Sequence, residues 1–492
     1  MDFSKTNLSS VISPQTTHQT SKIQITLARL LETTNFLESC FGKNGHSKLI
    51  LDNYGQLSVT SQVPTILANI KPNHPLVTLL IESVKKMESR GDGAAFMTIF
   101  AGELMKQVRV LVSKGINVRT LSETFKALRE QLPSLSSSLI HEHNFTLNDR
   151  NKLSTVIKGI AKNSKLEELI IESLALIKKI KLDNIQICKV GTGTLEDSYV
   201  MEGLVFNRKP EGKVGVKKGR TAIYNCPIDI SRTETKGTVL LRNAEDLLNF
   251  SKNEEDEVKT LVDEISKADI VICNGKVDPS HLDFFDKNNI LVFKLLSKHD
   301  VKRMRDLCGG SISPVLTGLR VDNMGEAQVE QFSEGGINYT RFKSEGMTKG
   351  NTKDGVITIV LKDSLSANLE EYERIIHKTL TVLRHATDFE EGKKVNLVEG
   401  NGIFENKVAD IILNLAMEHE NYKQHIVKSV SEALRKFTKK GNDEIFDIYE
   451  NKIKGMQYAI DLVCVALETE DYLLVKGDDM KITPRTNKHW DD

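Results

Sequence analysis

Gly91-Asp92-Gly93 is the segment of this sequence whose residue types best suit a binding chemistry. It stands directly before a long amphipathic stretch, so its backbone N–H groups would lie at a helix N-terminus, where partial positive charge favours phosphate. The glycines let an anion approach the backbone closely, and a carboxylate such as that of Asp92 can bind Mg²⁺. An aspartate in front of a helix is also a common N-cap, and this simpler role stays open.

Two other glycine-rich turns adjoin predicted helices. Gly42-Lys43-Asn44-Gly45 lies between a helix and a strand, and Glu399-Gly400-Asn401-Gly402 leads into a helix near Phe404. Each turn alone is more typical of a helix cap or an ordinary chain reversal than of a ligand site. Because three such turns occur in the two terminal parts of the chain, they favour one domain with a shared phosphate site.

Hydrophobic periodicity predicts the elements that must position these turns. In the N-terminal part, helices are predicted at 21–40, 75–88, 94–114, 119–131 and 149–181, and strands at 48–51 and 57–60. Strand and helix then alternate, with strands at 198–206, 221–224, 268–273 and 290–295 and helices near 243–266, 279–287 and 299–308. A strand at 356–362, a helix at 367–384, further helix to about 467 and a strand near 472–476 follow. A helical block, an α/β insert and a second helical block indicate a nested architecture.

Composition narrows the class of protein. A length of 492 residues predicts about two or three domains, and equal numbers of basic and acidic residues, 67 each, give no reason to expect nucleic acid or a membrane surface as partner. The six cysteines are scattered without a CxxC pair, which is typical of a reducing compartment and does not favour zinc or disulfides. No stretch approaches the ~20 apolar residues of a membrane helix, and the polar first residues lack a secretory signal pattern. We therefore expect a cytoplasmic protein.

One segment of the insert has the pattern of a peptide-binding helix. Val301, Met304 and Leu307 recur at helical spacing among charged residues that include Arg305. Such an apolar face could bind exposed peptide, although packing against the core is the commoner outcome.

With its three glycine turns in this order, the sequence resembles the group II chaperonins, in particular the eukaryotic cytosolic CCT/TRiC ring. The family's tyrosine-glycine-proline-x-glycine turn corresponds to Phe41–Gly45, its glycine-aspartate-glycine-threonine element to Gly91–Ala94, and its triple-glycine turn to Gly400–Gly402. The similarity spans nearly the whole chain. Clusters that match one subunit type of the family in particular are Phe100–Leu104, Thr233–Leu240, Asn249–Lys252 and Trp490–Asp492.

The resemblance implies an α-rich α+β fold of three domains. Its parts would be a mostly helical equatorial domain at 1–140 and 396–492, a hinge-like intermediate domain at 141–189 and 354–395, and an inserted α/β apical domain at 190–353 whose helical protrusion lies around 239–263. Two rings of different subunits would enclose unfolded client proteins, such as actin and tubulin, and fold them with ATP.

The resemblance also implies site residues. ATP or ADP would be bound by Gly42, Asn44, Gly45, Asp92, Gly93, Ala94, Ala95, Gly400 and Gly402, with Mg²⁺ held by Asp92. Clients would be bound by Val301, Met304, Arg305 and Leu307.

The catalytic positions depart from the family pattern. The family uses three aspartates to hold the metal and activate water, but here Gln62 and Lys378 stand at two of these positions, beside the retained Asp92. Glutamine cannot accept a proton from water, and a lysine reverses the charge beside a metal. Ala94 and Ala95 lack the hydroxyls that would contact phosphate, and the 433–445 region is shorter than the family segment that helps to form the adenine pocket. We expect hydrolysis to be weak or lost and nucleotide affinity to be reduced.

Two alternatives remain at this point. One is a fully ATP-hydrolysing chaperonin subunit that tolerates these substitutions. The other is a free-standing holdase that binds unfolded protein outside any ring.

Overall fold

The computed structural model describes residues 19–469 except 43–44, 53–54, 56, 73, 145–148, 162, 178–179, 230–243, 245–257, 345–354, 388–393 and 438–443. The α-helices are α1 (Gln19–Glu38), α2 (Val63–Asn69), α3 (Pro75–Glu88), α4 (Ala94–Ser113), α5 (Val118–Ser136), α6 (Arg150–Ile160), α7 (Ser164–Ala175), α8 (258–265), α9 (Pro279–Lys287), α10 (Lys298–Cys308), α11 (Ser366–Thr387), α12 (Ile403–Glu418), α13 (Asn421–Leu434) and α14 (Tyr449–Glu468). The strands are β1 (Lys48–Leu51), β2 (Leu57–Thr60), β3 (His141–Asn144), β4 (Ile185–Val190), β5 (Tyr199–Glu202), β6 (Leu204–Phe206), β7 (Lys217–Tyr224), β8 (Ile270–Asn274), β9 (Leu291–Leu295), β10 (Ile312–Ser313), β11 (Gly325–Glu334), β12 (Ile337–Lys343), β13 (Ile357–Lys362), β14 (Lys394–Glu399) and β15 (Phe446–Ile448).

Helices from both ends of the described chain form the first hydrophobic core. α4 lies at its centre, in contact with α1, α13 and α14, and is buried on nearly all sides. Its continuous apolar stretch around Phe100 suits such a position, since a helix that is apolar all round must be covered on every face. The N-terminus of α4 therefore lies inside the protein, next to α14, and the Gly91–Gly93 turn directly precedes it there.

The second core combines a small sheet with helices. β13 pairs in parallel with β4 and antiparallel with β5, and α6, α7 and α11 contribute the buried side chains that cover this sheet. α11 supplies Leu369, Ile376, Leu380 and Leu383 to this core. A separate three-stranded sheet of β3, β14 and β15 lies where the first and second cores meet.

The insert is built on a seven-stranded mixed sheet. β7, β8 and β9 are parallel neighbours. β11 and β12 form an antiparallel hairpin, and β12 also pairs with β6. α10 packs on this sheet through its apolar face.

Gly203 separates two strands that the sequence predicts as one. β5 pairs with β13 of the second core, whereas β6 pairs with β12 of the insert. Gly203 has a φ of +94°, and a Cβ atom there would lie 2.0 Å from the carbonyl oxygen of Phe342. The chain can change sheets here only because the residue has no side chain. The Gly203 N–H donates to the carbonyl oxygen of Val356 at 2.9 Å, so the two ends of the insert are hydrogen-bonded to each other.

The structure corrects several sequence predictions. The single helix predicted at 149–181 is two helices, because the Asn163 side chain accepts a hydrogen bond from the Lys165 N–H at 2.8 Å and starts α7 anew. The sequence did not predict α2, β3, β4, β10, β11 or β12. The prediction of helix up to about 467 is wrong where β14 and β15 form, because these segments pair with each other in a sheet. The strand predicted near 472–476 and most of the predicted protrusion lie outside the described residues.

Within the described residues, no helix is both long and apolar enough to cross a membrane.

Candidate nucleotide site

A cavity of about 620 Å³ lies at the N-terminus of α4. The Gly91–Gly93 turn, Gly42 and Asn401-Gly402 all border it, so the structure brings the three glycine turns of the sequence to one place. Ala94 and Ala95 line it from the first turn of α4, and Gln62 and Lys378 line it from other elements.

The glycines of the central turn are required by the fold itself. Gly93 is the N-cap residue of α4 with a φ of 95°, and a Cβ there would lie 2.5 Å from the Met87 Cε. A Cβ at Gly91, whose φ is +87°, would lie 2.7 Å from the Val382 Cγ2 on α11. The turn is thus packed tightly between α3, α11 and α14. Asp92 is not the N-cap, because Gly93 holds that position and no side chain caps the helix.

Lys378 forms an ion pair with Asp92 inside the cavity. Its Nζ lies 2.9 Å from the Asp92 Oδ1, and both side chains are about one third exposed, at 32% and 33%. Burial tends to raise the pKa of the Asp92 carboxyl, but the Lys378 ammonium, the Gly93 N–H and Lys452 outweigh burial and lower the pKa below its usual value. The lysine that stands where the resemblance implies a carboxylate therefore binds Asp92.

A buried charge cluster adjoins the pair and was missed in the sequence. The Lys452 Nζ lies 2.6 Å from the Glu405 Oε1 and 3.0 Å from the Asp447 Oδ2. Burial raises the pKa of Asp447 above its usual value; the Lys452 ammonium opposes this rise, and the nearby Asp92 and Glu405 charges add to it. Burial alone would lower the pKa of Lys452, but the two carboxylates raise it, so the ammonium stays charged.

Two amide groups at the cavity have no hydrogen-bond partner among the described residues. They are the Nδ2 of Asn451 and the Nε2 of Gln62. Asn451 is only 5% exposed, and its other atom, Oδ1, accepts a hydrogen bond from the Arg90 Nε at 2.9 Å. Both unpaired groups are donors, so an acceptor-rich ligand would satisfy them. Glu405 Oε2 is an unpaired acceptor at the same cavity.

An aromatic cluster closes another side of the cavity. Phe437 is 4% exposed, and its ring centroid lies 5.4 Å from that of Phe41 and 4.9 Å from that of Phe96. Phe437 belongs to the 433–445 region, which the resemblance implies to be shorter than the corresponding family segment.

The remaining predicted nucleotide contacts are Gly45, Gly400 and Asn44. Gly45 and Gly400 do not line the cavity. A Cβ at Gly45 would lie 2.1 Å from the carbonyl oxygen of Cys40, and the Gly400 N–H donates to the carbonyl oxygen of Ile445 at 2.7 Å, so both serve local chain packing. Asn44 lies outside the described residues. Asn401 has a φ of 57°, a conformation that asparagine tolerates better than most residues.

Comparison with known proteins identifies the family. A model of the TCP-1/cpn60 chaperonin family matches residues 33–440. The chain belongs to this family. The chaperonin is 40% identical to T-complex protein 1 subunit theta of Encephalitozoon cuniculi (strain GB-M1) over 494 residues, which cover 100% of this chain and 99% of that protein. It is 30% identical to the protein of the same name from Gallus gallus and 29% identical to that from Homo sapiens, in each case over 82% of this chain and 74% of the other.

These findings confirm the resemblance that the three turns predicted. They also agree with the sequence clusters that match one subunit type of the family, because that type is theta. The mixed helical and stranded architecture is consistent with the chaperonin fold.

The predicted client-binding face of this chaperonin needs correction. Val301, Met304 and Leu307 are at most 2% exposed, because the apolar face of α10 packs into the core of the insert. Arg305 pairs with the neighbouring Asp306 at 2.7 Å. The burial of the three apolar side chains does not agree with direct contact to an unfolded chain.

The residues at this chaperonin's cavity do not fit Mg²⁺. Magnesium prefers several oxygen ligands in octahedral geometry, whereas the Asp92 carboxylate already binds the Lys378 ammonium at 2.9 Å. The described residues contain no group of three or more His, Cys, Asp and Glu side chains that could hold a metal. The unpaired amide donors of Gln62 and Asn451 would also face a cation unfavourably.

Proposed function

We propose that this protein is a subunit of the cytoplasmic hetero-oligomeric double-ring chaperonin and that its own ATP hydrolysis is lost. Membership in the chaperonin family and its theta-named relatives support the first part. On this proposal the first core belongs to an equatorial domain at 1–140 and 396–492, and the second core to an intermediate domain at 141–189 and 354–395. The insert belongs to an apical domain at 190–353 that binds unfolded clients such as actin and tubulin.

The ion pair between Lys378 and Asp92 carries the second part of the proposal. Hydrolysis of a phosphoanhydride needs a metal on the phosphates and a base for the attacking water. The 2.9 Å contact places an ammonium where the metal-binding carboxylate would act, and Gln62 offers an amide where a base is needed. ADP or ATP can still occupy the cavity, but it is not turned over.

A single-turnover assay tests the loss of hydrolysis. The isolated subunit is mixed with a trace of radiolabelled ATP, and phosphate release is expected to stay at the rate of the protein-free blank. We expect the double variant Gln62→Asp with Lys378→Asp to stay inactive too, because Phe437 and the short 433–445 region leave the cavity changed at another side. Turnover above the blank in the unmodified subunit contradicts the proposal and favours a working ATPase.

The hairpin of β1 and β2 supports assembly with other subunits. Among the described residues it is a two-stranded sheet, and such a sheet is marginally stable alone. It also exposes Leu49, Leu51 and Leu57 at 68%, 67% and 53%. Free strand edges and exposed leucines are features that a neighbouring subunit would cover by strand pairing.

Native mass measurement after co-expression with the other ring subunits tests assembly. The tagged subunit is expected to elute in a complex of ring size. The variant Leu49→Lys with Leu51→Lys should reduce this incorporation, whereas Val110→Lys, at a 47% exposed valine on α4, serves as the control. A tagged subunit that remains monomeric when the other subunits form rings contradicts the proposal and favours a free-standing holdase.

A further inference from the structure

The cavity at α4 has a buried, unpaired hydrogen-bond donor among its lining residues. Asn451 Nδ2 is unpaired, and its residue is 95% buried beside the turn, since a Cβ at Gly93 would lie 3.4 Å from the Asn451 carbonyl oxygen. The N-terminus of the twenty-residue helix α4 opens at the same place. A buried donor without an acceptor is costly, so its presence beside a helix N-terminus indicates a ligand with acceptor oxygens.

The charged side chains nearest the N-terminus of α4 form ion pairs within the chain. Asp92 pairs with Lys378 at 2.9 Å, and Lys452 pairs with both Glu405 and Asp447. At the turn itself an incoming phosphoryl group would therefore meet an ammonium and N–H donors, because the aspartate there, Asp92, is paired with Lys378. A divalent cation that approached Asp92 would lie beside the Lys378 ammonium, and two positive charges so close together repel each other.

We propose that this cavity binds the phosphoryl group of a nucleotide without a divalent metal ion, with the Lys378 ammonium in the place of the metal. The phosphoryl oxygens accept hydrogen bonds from the backbone N–H groups at the start of α4 and from Asn451 Nδ2, and Lys378 supplies the positive charge. Metal-free binding rests on the proposed function, because the loss of hydrolysis concerns the same cavity. Ring assembly is measured separately, so either can fail without the other.

Calorimetric titration of the purified full chain tests metal-free binding. The probes are ADP, pyrophosphate and adenosine, each titrated in excess EDTA and again in excess MgCl₂. ADP and pyrophosphate are expected to bind in EDTA at least as tightly as in MgCl₂, and adenosine at least about tenfold more weakly than ADP. Binding of ADP without binding of pyrophosphate would identify a nucleotide as the source of the phosphoryl group, and binding of both would extend the ligand class to free phosphates.

Two substitutions test the assigned groups. Asn451→Asp keeps the oxygen that accepts from Arg90 and replaces the unpaired donor by an acceptor, so ADP affinity in EDTA should fall at least about tenfold. Lys378→Asp should abolish binding in EDTA and make the remaining binding depend on Mg²⁺. Lys378→Met should weaken binding in EDTA without a charge reversal. Lys407→Asp is the matched control, because Lys407 also pairs with a carboxylate, that of Glu399, but does not line the cavity.

Several results would overturn metal-free binding. They are a requirement of the unmodified chain for Mg²⁺, equal affinity for adenosine and ADP, unchanged affinity in Asn451→Asp, or no binding of any probe. Hydrogen exchange and circular dichroism of each variant show whether a loss of affinity comes from unfolding. If Lys378→Asp is unfolded, Lys378→Met and Asn451→Asp still decide the outcome.

Discussion

The ion pair of Lys378 and Asp92 should make a measurable contribution to stability. Two unit charges 2.9 Å apart attract by about 6 kcal/mol at an effective dielectric constant of about 20 and by about 1.4 kcal/mol at about 80. Since both side chains are about one third exposed, water weakens the attraction, and ordering of the long lysine opposes it. We expect a coupling free energy of about 1–2 kcal/mol, more than the ~0.2–1 kcal/mol of a fully exposed pair.

A double-mutant cycle measures this coupling. Lys378→Met, Asp92→Asn and the combined variant are compared with the unmodified chain by urea unfolding, followed at amides of the Gly91–Gly93 turn and α11 by hydrogen exchange. A fully exposed pair on α5, Arg119 with Glu123 at 87% and 66% exposure, gives the control cycle. Its coupling should stay below about 0.5 kcal/mol.

The result that refutes the reasoning is additivity. If the two single changes sum to the double change within about 0.3 kcal/mol, Lys378 and Asp92 do not interact in solution. The claim that the lysine holds the remaining carboxylate would then fail, and the cavity would be open to a metal.

Three further predictions concern the fold around the cavity. The His74 side chain caps α3 by accepting a hydrogen bond from the Leu76 N–H, and burial lowers the pKa of His74, so the cap should be lost as pH falls below about 6.5. Thermal melts from about pH 7 to about pH 5 should show a loss of stability of up to about 1 kcal/mol that the His74→Asn variant lacks. Equal pH dependence of the two proteins would contradict this prediction. In urea unfolding, Gly93→Ala should destabilise the protein by at least about 1 kcal/mol more than Gly115→Ala. Both glycines have a positive φ, but only Gly93 lacks room for a Cβ atom. Equal losses of stability would show that the tight packing around Gly93 is not the cause. Lys452→Met should lower the free energy of unfolding by about 3–5 kcal/mol, because it leaves buried carboxylates unpaired. Adding Glu405→Gln should recover part of this stability. No recovery would mean that the loss of stability comes from packing alone.

Local patterns predicted the elements that depend on nearby residues. The hairpin of β1 and β2 and the helix α3 have the predicted bounds, because alternation, a polar turn and the His74-Pro75 start are all readable in the sequence. The hairpin of β11 and β12 was readable too, since Gly335-Gly336 separates two alternating strands, but it was not predicted. The sheet of β3, β14 and β15 joins short segments far apart in the chain, so only tertiary packing selects it.

The site was predicted in part for the same reason. Glycine turns before helices are a sequence signal, and the structure places the three turns at one cavity. Lys378 was assigned to this site through its position in the family pattern, and its contact with Asp92 shows which face of α11 meets the turn. Asp447, Glu405 and Lys452 carried no signal, because their contact depends on how α12, α14 and β15 lie against one another. The apolar face of α10 has the same pattern whether it binds a ligand or the core, so its burial could not be read in advance.

The contact between Gly203 and Val356 has a consequence for how the insert could have been acquired. Gly203 and Val356, where the chain enters and leaves the sheet of the insert, are hydrogen-bonded at 2.9 Å, so the chain enters and leaves this sheet at the same point of the protein. A host fold can accept such a unit in place of a short loop, because the distance that the host must span stays the same. The length and content of the insert can therefore change between relatives without moving the helices that form the cavity.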